Sequence, residues 1–347
     1  MKRLILPLLA FALVSCKQPS THRDWAAMDC NFAATVHGKG DIVAEAALDS
    51  LQQMTTDLQH LLSDYDPTSP LLVLRGRKGD TVAVDPRIVE ILRGALPAMT
   101  ASRGTLDIGL HDLKALWGLD APSPSVPDSS AIDSVLRRRH GVSAIVPDSV
   151  LQASPLEILS DGRVVLLVDS LPIDLGGIAK GWAVDRMSDA LVRLGYPVHL
   201  IQGGGEIRAR GRKAAGAWNI GIKNPRSTST VTAVVQLDTG MAVSTSGDYE
   251  RFFLQDGIRY HHLFQPSTGR PARNGVASAS LLCPTSAACD RWSKSMFLLG
   301  PERGTPLADS LGIAVLWIRE TPTGLCGSAT ASWKTRLARD TLPECPR

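Results

Sequence analysis

Apolar residues recur at helical spacing in four stretches of the chain. From Ile42 to Leu62 they fall at Leu48, Leu51, Met54, Leu58 and Leu61, and the run ends near Asp64-Tyr65-Asp66-Pro67. Val84–Met99 is a second such helix, with Pro86 near its first turn and Pro97 bending or ending it. Ser130–Arg139 is a third. The fourth carries Val184, Met187, Leu191 and Leu194, and Gly195 and Pro197 stop it. Strand patterns occupy Phe32–Val36, Val164–Val168, Val198–Ile201, Thr230–Leu237 and Ala277–Cys283, with a buried strand at Ile313–Ile318. In the second half strands outnumber helices and mostly lack helical crossovers. This predicts an α+β fold with mixed, largely antiparallel sheets and flanking helices. Ala121–Ser130, rich in Pro and Ser, reads as a linker or long surface loop.

The first residues break the pattern. Lys2 and Arg3 precede an apolar stretch, Leu4 to Val14, that is too short to span a bilayer and reads as a signal segment. Leu13-Val14-Ser15-Cys16 then resembles a bacterial lipobox, in which the cysteine carries lipid and begins the mature chain. Residues 1–15 are therefore expected to be a leader and 16–25 a tether. Residues 26–320 form the functional domain and 321–347 a C-terminal tail. The expected location is the bacterial cell envelope, lipid-anchored through Cys16 and facing the periplasm or the outside.

The mature length suffices for one large domain or two intimate lobes, and a hydrophobic fraction of 44% supports a real core. A formal net charge of +3 and only 5% aromatic residues give no reason to expect nucleic acid as a partner. With Cys16 assigned to lipid, five cysteines remain: Cys30, Cys283, Cys289, Cys326 and Cys345. An odd number leaves at least one free or paired with another chain, and the pairing stays open.

Candidate chemistry gathers at Pro172–Gly211. The turn Asp174-Leu175-Gly176-Gly177 opens the fourth helix with Lys180 in its first turn, and the helix leads to a second glycine-rich turn at Gly203-Gly204-Gly205-Glu206. Glycine permits close backbone approach, a helix start favours anions, and Lys180 adds positive charge, so a phosphorylated ligand fits. The alternative is a plain βαβ-like crossover whose glycines serve only turns. The spacing is neither that of a P-loop nor of Gly-x-Gly-x-x-Gly. Further on, Thr245-Ser246-Gly247-Asp248-Tyr249 packs small hydroxyl residues beside a glycine. In Tyr260-His261-His262 a strand would turn the two imidazoles to opposite faces. One of them is then placed to serve as a general base. Asp290 and Lys294, four residues apart, share one helix face.

In this order, Asp174-Leu-Gly-Gly-Ile-Ala-Lys-Gly, Gly204-Gly205-Glu206, Trp218 with Gly221-Ile222 and Pro225, Thr245-Ser-Gly-Asp-Tyr, His262 with Pro266-x-Thr-Gly, and Asp290 resemble the ApbE family of FAD:protein FMN transferases. The likeness runs from about residue 26 to about 318 and takes in Met28, Tyr65 with Ser69, and Gly104 through Trp117-Gly118. It implies two lobes and an enzyme that binds FAD and a divalent ion, usually magnesium. FMN would pass to a Thr or Ser hydroxyl of an acceptor protein as a phosphoester, with AMP released. Family acceptors include flavin-carrying subunits of membrane redox complexes such as Rnf and Nqr. By position, the resemblance assigns Met28, Tyr65, Thr105, Leu106, Asp107, Asp174, Lys180 and Phe264 to the FAD site. It assigns Gly177, through its carbonyl, and Asp290 to the metal, and His262 to proton removal from the acceptor hydroxyl.

Three positions depart from the family pattern. Lys294 stands where the family has a metal-site Thr, Gln265 where an Asp precedes Pro-x-Thr-Gly, and Arg75 where an early Asn is usual. Lys294 is expected to take over part of the ion's role as a fixed charge on FAD's diphosphate. The competing functions are a metal-dependent FAD pyrophosphatase and a non-catalytic periplasmic flavin-binding lipoprotein.

Overall fold

The computed structural model describes residues 19–38, 40–140, 154–227 and 229–346; the leader and Cys16 lie outside the described residues. Eight strands form one antiparallel sheet in the order β1-β2-β6-β7-β10-β15-β16-β17. They are β1 (Ser20–Ala27), β2 (Cys30–His37), β6 (Val198–Gly203), β7 (Glu206–Arg210), β10 (Ala242–Gly247), β15 (Val276–Cys283), β16 (Ala314–Thr321) and β17 (Gly324–Ala329). A three-stranded sheet, β8 (Trp218–Lys223), β9 (Val231–Leu237) and β18 (Leu337–Asp340), packs against part of it through Trp218, Ile220, Val235, Leu316 and Trp333. A second small sheet joins β3 (Thr81–Val82), β4 (Leu156–Ile158) and β5 (Val164–Leu166). Two hairpins, β11 (Phe252–Gln255) with β12 (Ile258–His261) and β13 (Phe264–Gln265) with β14 (Arg270–Pro271), complete the strands.

The helices are α1 (Asp41–Leu62), α2 (Pro86–Ala101), α3 (His111–Trp117), α4 (Ser129–His140), α5 (Ala179–Arg193), α6 (Ser286–Leu311) and α7 (Ala331–Lys334). β15 is buried at every position because β10 and β16 flank it and α6 covers it. That explains its unbroken apolar and small-residue sequence. β8 buries alternate residues, Trp218, Ile220 and Ile222, as a strand with one solvated face should. The main core lies under α2, α5 and α6, and a second gathers α1 and α5 against β1, β2 and β6.

The α+β class and antiparallel pairing agree with the sequence pattern, while several boundaries need correction. Residues 20–25, expected as tether, belong to β1, which pairs with β2 along its whole length. β1 is the sheet's edge and exposes half of its residues, so its composition reads as polar linker. Residues 321–346, expected as a C-terminal tail, pack with the rest: β17 and β18 extend two sheets, Trp333 is buried, and Cys326 bonds to Cys345. α2 continues past Pro97 to Ala101, started by Asp85, whose side chain accepts from Arg87 N. β5 and β6, on either side of α5, lie in different sheets, so this is not a parallel βαβ crossover. Cys283 and Cys289 form a second disulfide, which leaves Cys30 unbridged among the described cysteines.

Candidate active site

The diglycine bend feeds directly into α5. Asp174 Oδ1 accepts from Gly176 N at 2.8 Å, and Lys180 Nζ reaches back to donate to Gly176 O at 2.7 Å. One residue on, α5 crosses α6 at Gly181. A Cβ there would stand 2.4 Å from Ser286 O and 2.5 Å from Asp290 Cβ, so only glycine allows this approach. Gly181 N donates to Asp290 Oδ2 at 2.8 Å, and Lys294 Nζ donates to Asp290 Oδ1 at 2.6 Å. The Lys294 stem lies against Gly177, its Cδ 3.3 Å from where a Cβ would be.

The second glycine turn brings Glu206 to the same place. Gly205 has no room for a side chain, because a Cβ would meet Thr245 O at 2.4 Å. Burial and the neighbouring Asp290 push the Glu206 carboxyl up to about 7, against the pull of Lys180 and Lys294. Asp290 is also fully buried, yet Lys294, Lys180 and the Gly181 amide hold its carboxyl below the ordinary range. Burial disfavours the Lys180 charge, but Glu206 and Asp290 outweigh this and hold its ammonium above the ordinary value. Cys30 borders this group, and burial pushes its thiol up to about 11.

β12 ends at His261, and His262 lies one residue past it; the two imidazoles take different partners. His261 is locked: Leu263 N donates to its Nδ1 at 3.2 Å, so Nε2 carries the proton and donates to Ala272 O at 3.0 Å. The other imidazole, His262, turns Nδ1 toward Arg251 O at 3.4 Å, which leaves Nε2 free to accept a proton. Burial lowers the His262 pKa to about 3, helped by His261, Lys294 and Arg251. His262 is therefore neutral at any ordinary pH.

Beyond Asp174 the site changes character. Lys114 Nζ bridges Asp174 at 3.0 Å and Asp64 at 3.4 Å, and His111 Nδ1 lies 3.0 Å from Asp64. Tyr65, 57% exposed, leans on the His111 ring at 5.0 Å and lies under Lys114 Nζ at 5.6 Å. Arg75 donates to Asp64 O at 2.8 Å and so fixes this corner. Thr105 and Leu106 are buried, with Thr105 Oγ1 bonded to Ser102 O at 3.0 Å and Leu106 N donating to Ser102 Oγ at 3.0 Å. Asp107 Oδ1 accepts from Gly109 N at 2.7 Å, and Asp174 N donates to Ile108 O at 2.7 Å, which ties this loop to the diglycine bend. Phe264 is buried, its ring 5.7 Å from Trp117, and its amide donates to His262 O at 3.1 Å.

Met28 occupies the two-residue turn between β1 and β2, where Met28 and Asp29 both adopt left-handed backbone, φ 49° and 55°. Such a turn normally selects Asn or Gly. Here it is fastened from both sides: Met28 N donates to Gln59 Oε1 at 2.7 Å, and Arg251 donates to Asp29 O at 2.7 Å. A cavity of about 390 Å³ beside this turn is lined by Ala26, Ala27, Asp29, Cys30, Asn31 and Gln59.

The magnesium site expected at Gly177 and Asp290 does not fit these residues. Both Asp290 oxygens are engaged, one by an ammonium, and the Lys294 stem fills the space beside Gly177. Among the described residues no group of three or more His, Cys, Asp or Glu could hold an ion.

A family profile described as the ApbE family matches residues 28–317. The chain belongs to the ApbE family. ApbE-type relatives include the FAD:protein FMN transferase of Treponema pallidum, 32% identical over 292 residues, covering 79% of this chain and 77% of the relative. The FAD:protein FMN transferase of Vibrio cholerae is 30% identical over 259 residues, 74% of each chain. Among solved structures, the ApbE protein of Thermotoga maritima superposes with a TM-score of 0.79 at 25% identity, covering 92% of this chain and all of that one.

Sequence reasoning missed Lys114, Asp64 and His111, and it quoted Glu206 without giving it a role. The signals were present: Asp64 adjoins Tyr65, and His111 and Lys114 are three apart on α3. Nothing local announces that Lys114 bridges two carboxylates from distant loops.

Proposed function

We propose that this chain catalyses FMN transfer from FAD to a Thr or Ser hydroxyl of an acceptor protein. The hydroxyl oxygen attacks the FMN phosphorus, the bond from that phosphorus to the bridging diphosphate oxygen breaks, and AMP departs with the bridging oxygen. His262 Nε2 takes the hydroxyl proton. The observation that carries the reading is the convergence of the diglycine bend with Lys180, the Asp290/Lys294 face of α6 and the neutral His262. Charge on the phosphate oxygens, fixed geometry and a base are what this displacement needs. The names of the ApbE relatives support the same reaction.

Tyr65, Met28, Asp174, Thr105, Leu106, Asp107 and Phe264 hold the flavin nucleotide in this reading. Lys180 neutralises the diphosphate. Lys294, salt-bridged to Asp290, stands as a fixed charge where the family places a metal ligand, and takes over part of that ion's role. The acceptor in this reading is a subunit of a membrane redox complex that brings its Thr or Ser hydroxyl to His262. Cys16 carries the lipid that anchors the enzyme in the cell envelope.

Incubating the mature protein with FAD, magnesium and a candidate acceptor tests the proposal. Covalent fluorescent flavin on the acceptor supports it. Free FMN without acceptor labelling marks a pyrophosphatase, and intact bound FAD marks a carrier; either result overturns the transferase reading.

A further inference from the structure

Asp185 lies five residues beyond Lys180 on α5 and is buried. Its side chain does not serve its own helix. Oδ1 accepts from Ser286 N at 2.9 Å and Oδ2 from Ala287 N at 2.9 Å, the first two amides of α6. Thr285 Oγ1 takes the next, Ala288 N, at 3.1 Å. The opening amides of a helix lack partners within it, and a carboxylate there also complements the helix dipole. Asp185 thus acts as an N-terminal cap supplied by a neighbouring helix. Arg208 of β7, itself buried, donates to the same Oδ1 and balances the charge.

Two contacts one helical turn apart therefore fix α6 on α5. Gly181 meets Asp290 and Asp185 meets Ser286, so each helix offers residues four apart to the other. Lys294 follows Asp290 by one further turn, about 6 Å along the axis. A slide or tilt at the start of α6 is carried directly to Asp290 and Lys294, whereas Lys180 stays with α5. The Cys283–Cys289 disulfide ties the same turn to β15 but does not set its register against α5.

We infer that Asp185 is a positioning residue, which holds the Asp290/Lys294 face in register with Lys180 across the diphosphate site. This rests on the proposed diphosphate site. Displacing a charged group by about 1 Å is enough to lose up to a hundredfold in a reaction of this kind.

The test is a double-mutant cycle read in ADP affinity by calorimetry, with FMN transfer measured in parallel. Asp185→Asn removes the charge but leaves Arg208 buried without it. Ser286→Pro removes a single amide and spares both side chains. Proline suits the first position of a helix, and Thr285 before it is already extended at φ −139°, ψ 154°. If Asp185→Asn fails to fold, Ser286→Pro alone decides. Each variant is expected to weaken ADP binding and slow transfer about tenfold in the native background, and less than twofold in Lys294→Ala. A merely less stable fold would lower both backgrounds equally, and that result, or no loss at all, overturns the assignment. Absence of ADP binding by the native protein overturns the diphosphate site together with the assignment. Native ADP binding without FMN transfer strikes only the transferase reading.

Discussion

At the proposed diphosphate end of the site Asp290 is fully buried, bonded to a backbone amide and an ammonium, and set by two crossed helices. At the proposed flavin end Tyr65 is more than half exposed, sits on a loop, and sets its ring against a histidine ring and a lysine. The contrast follows from what each end handles. Charge acting on phosphorus must be preorganised, because reorganising it during the reaction costs rate. A stacking surface needs only to be present, and an exposed aromatic ring on a loop can adapt to its ligand. In the proposed reaction catalysis therefore depends on the first end and affinity on the second.

The largest effect tests the rigid end. His262→Ala is expected to lower the transfer rate about a thousandfold, within the range for loss of a general base, while FAD binding changes little. Rates of covalent acceptor labelling alongside FAD titration would show this; retained turnover removes His262 from the proton-accepting role. Lys294 comes next. With its ammonium on Asp290, native transfer should persist in EDTA, and Lys294→Thr in EDTA should lose roughly a hundredfold. Complete loss of native activity in EDTA would show that an ion, not Lys294, supplies the charge.

The legibility of the sequence follows the same division. Although Gly181 meets Asp290 from 109 positions away, the rigid end also carries local patterns: a glycine pair before a helix and an i,i+4 pair. Each can be read because its partners lie within a few residues. The flavin end is built from long-range pairs. Lys114 meets Asp64 from 50 positions away, and no periodicity encodes that. β1 escaped for a different reason, since an edge strand shares its solvated composition with a tether. Trp333 was the one overlooked sign that the C-terminal residues pack, because a fully buried Trp demands a surrounding fold.

A smaller effect is expected at the adaptable end. Tyr65→Ala removes an exposed stacking face, and FAD should bind roughly tenfold more weakly, near the upper limit for one aromatic contact. The rate at saturating FAD should hold. A fall in that rate with unchanged affinity would mean that Tyr65 aligns the diphosphate, and the division between the two ends would fail.

The smallest expected effect is the most discriminating for His262. Its pKa is lowered from 6.5 to about 3, so Nε2 is unprotonated across the whole neutral range. The dependence of kcat/KM on pH reports the free enzyme's base. The acid limb due to His262 should therefore lie near pH 3 rather than 6.5, and from pH 8 to pH 5 this group should change the rate less than about twofold. Glu206, pushed up to about 7, titrates within that window and has to be separated. A limb near 7 that disappears in Glu206→Gln belongs to Glu206 and leaves His262 as described. A limb near 6.5 that survives Glu206→Gln would show His262 titrating as it does in water. The enclosure by His261, Lys294 and Arg251 would then not govern the base, and the charged end would be as open to solvent as Tyr65.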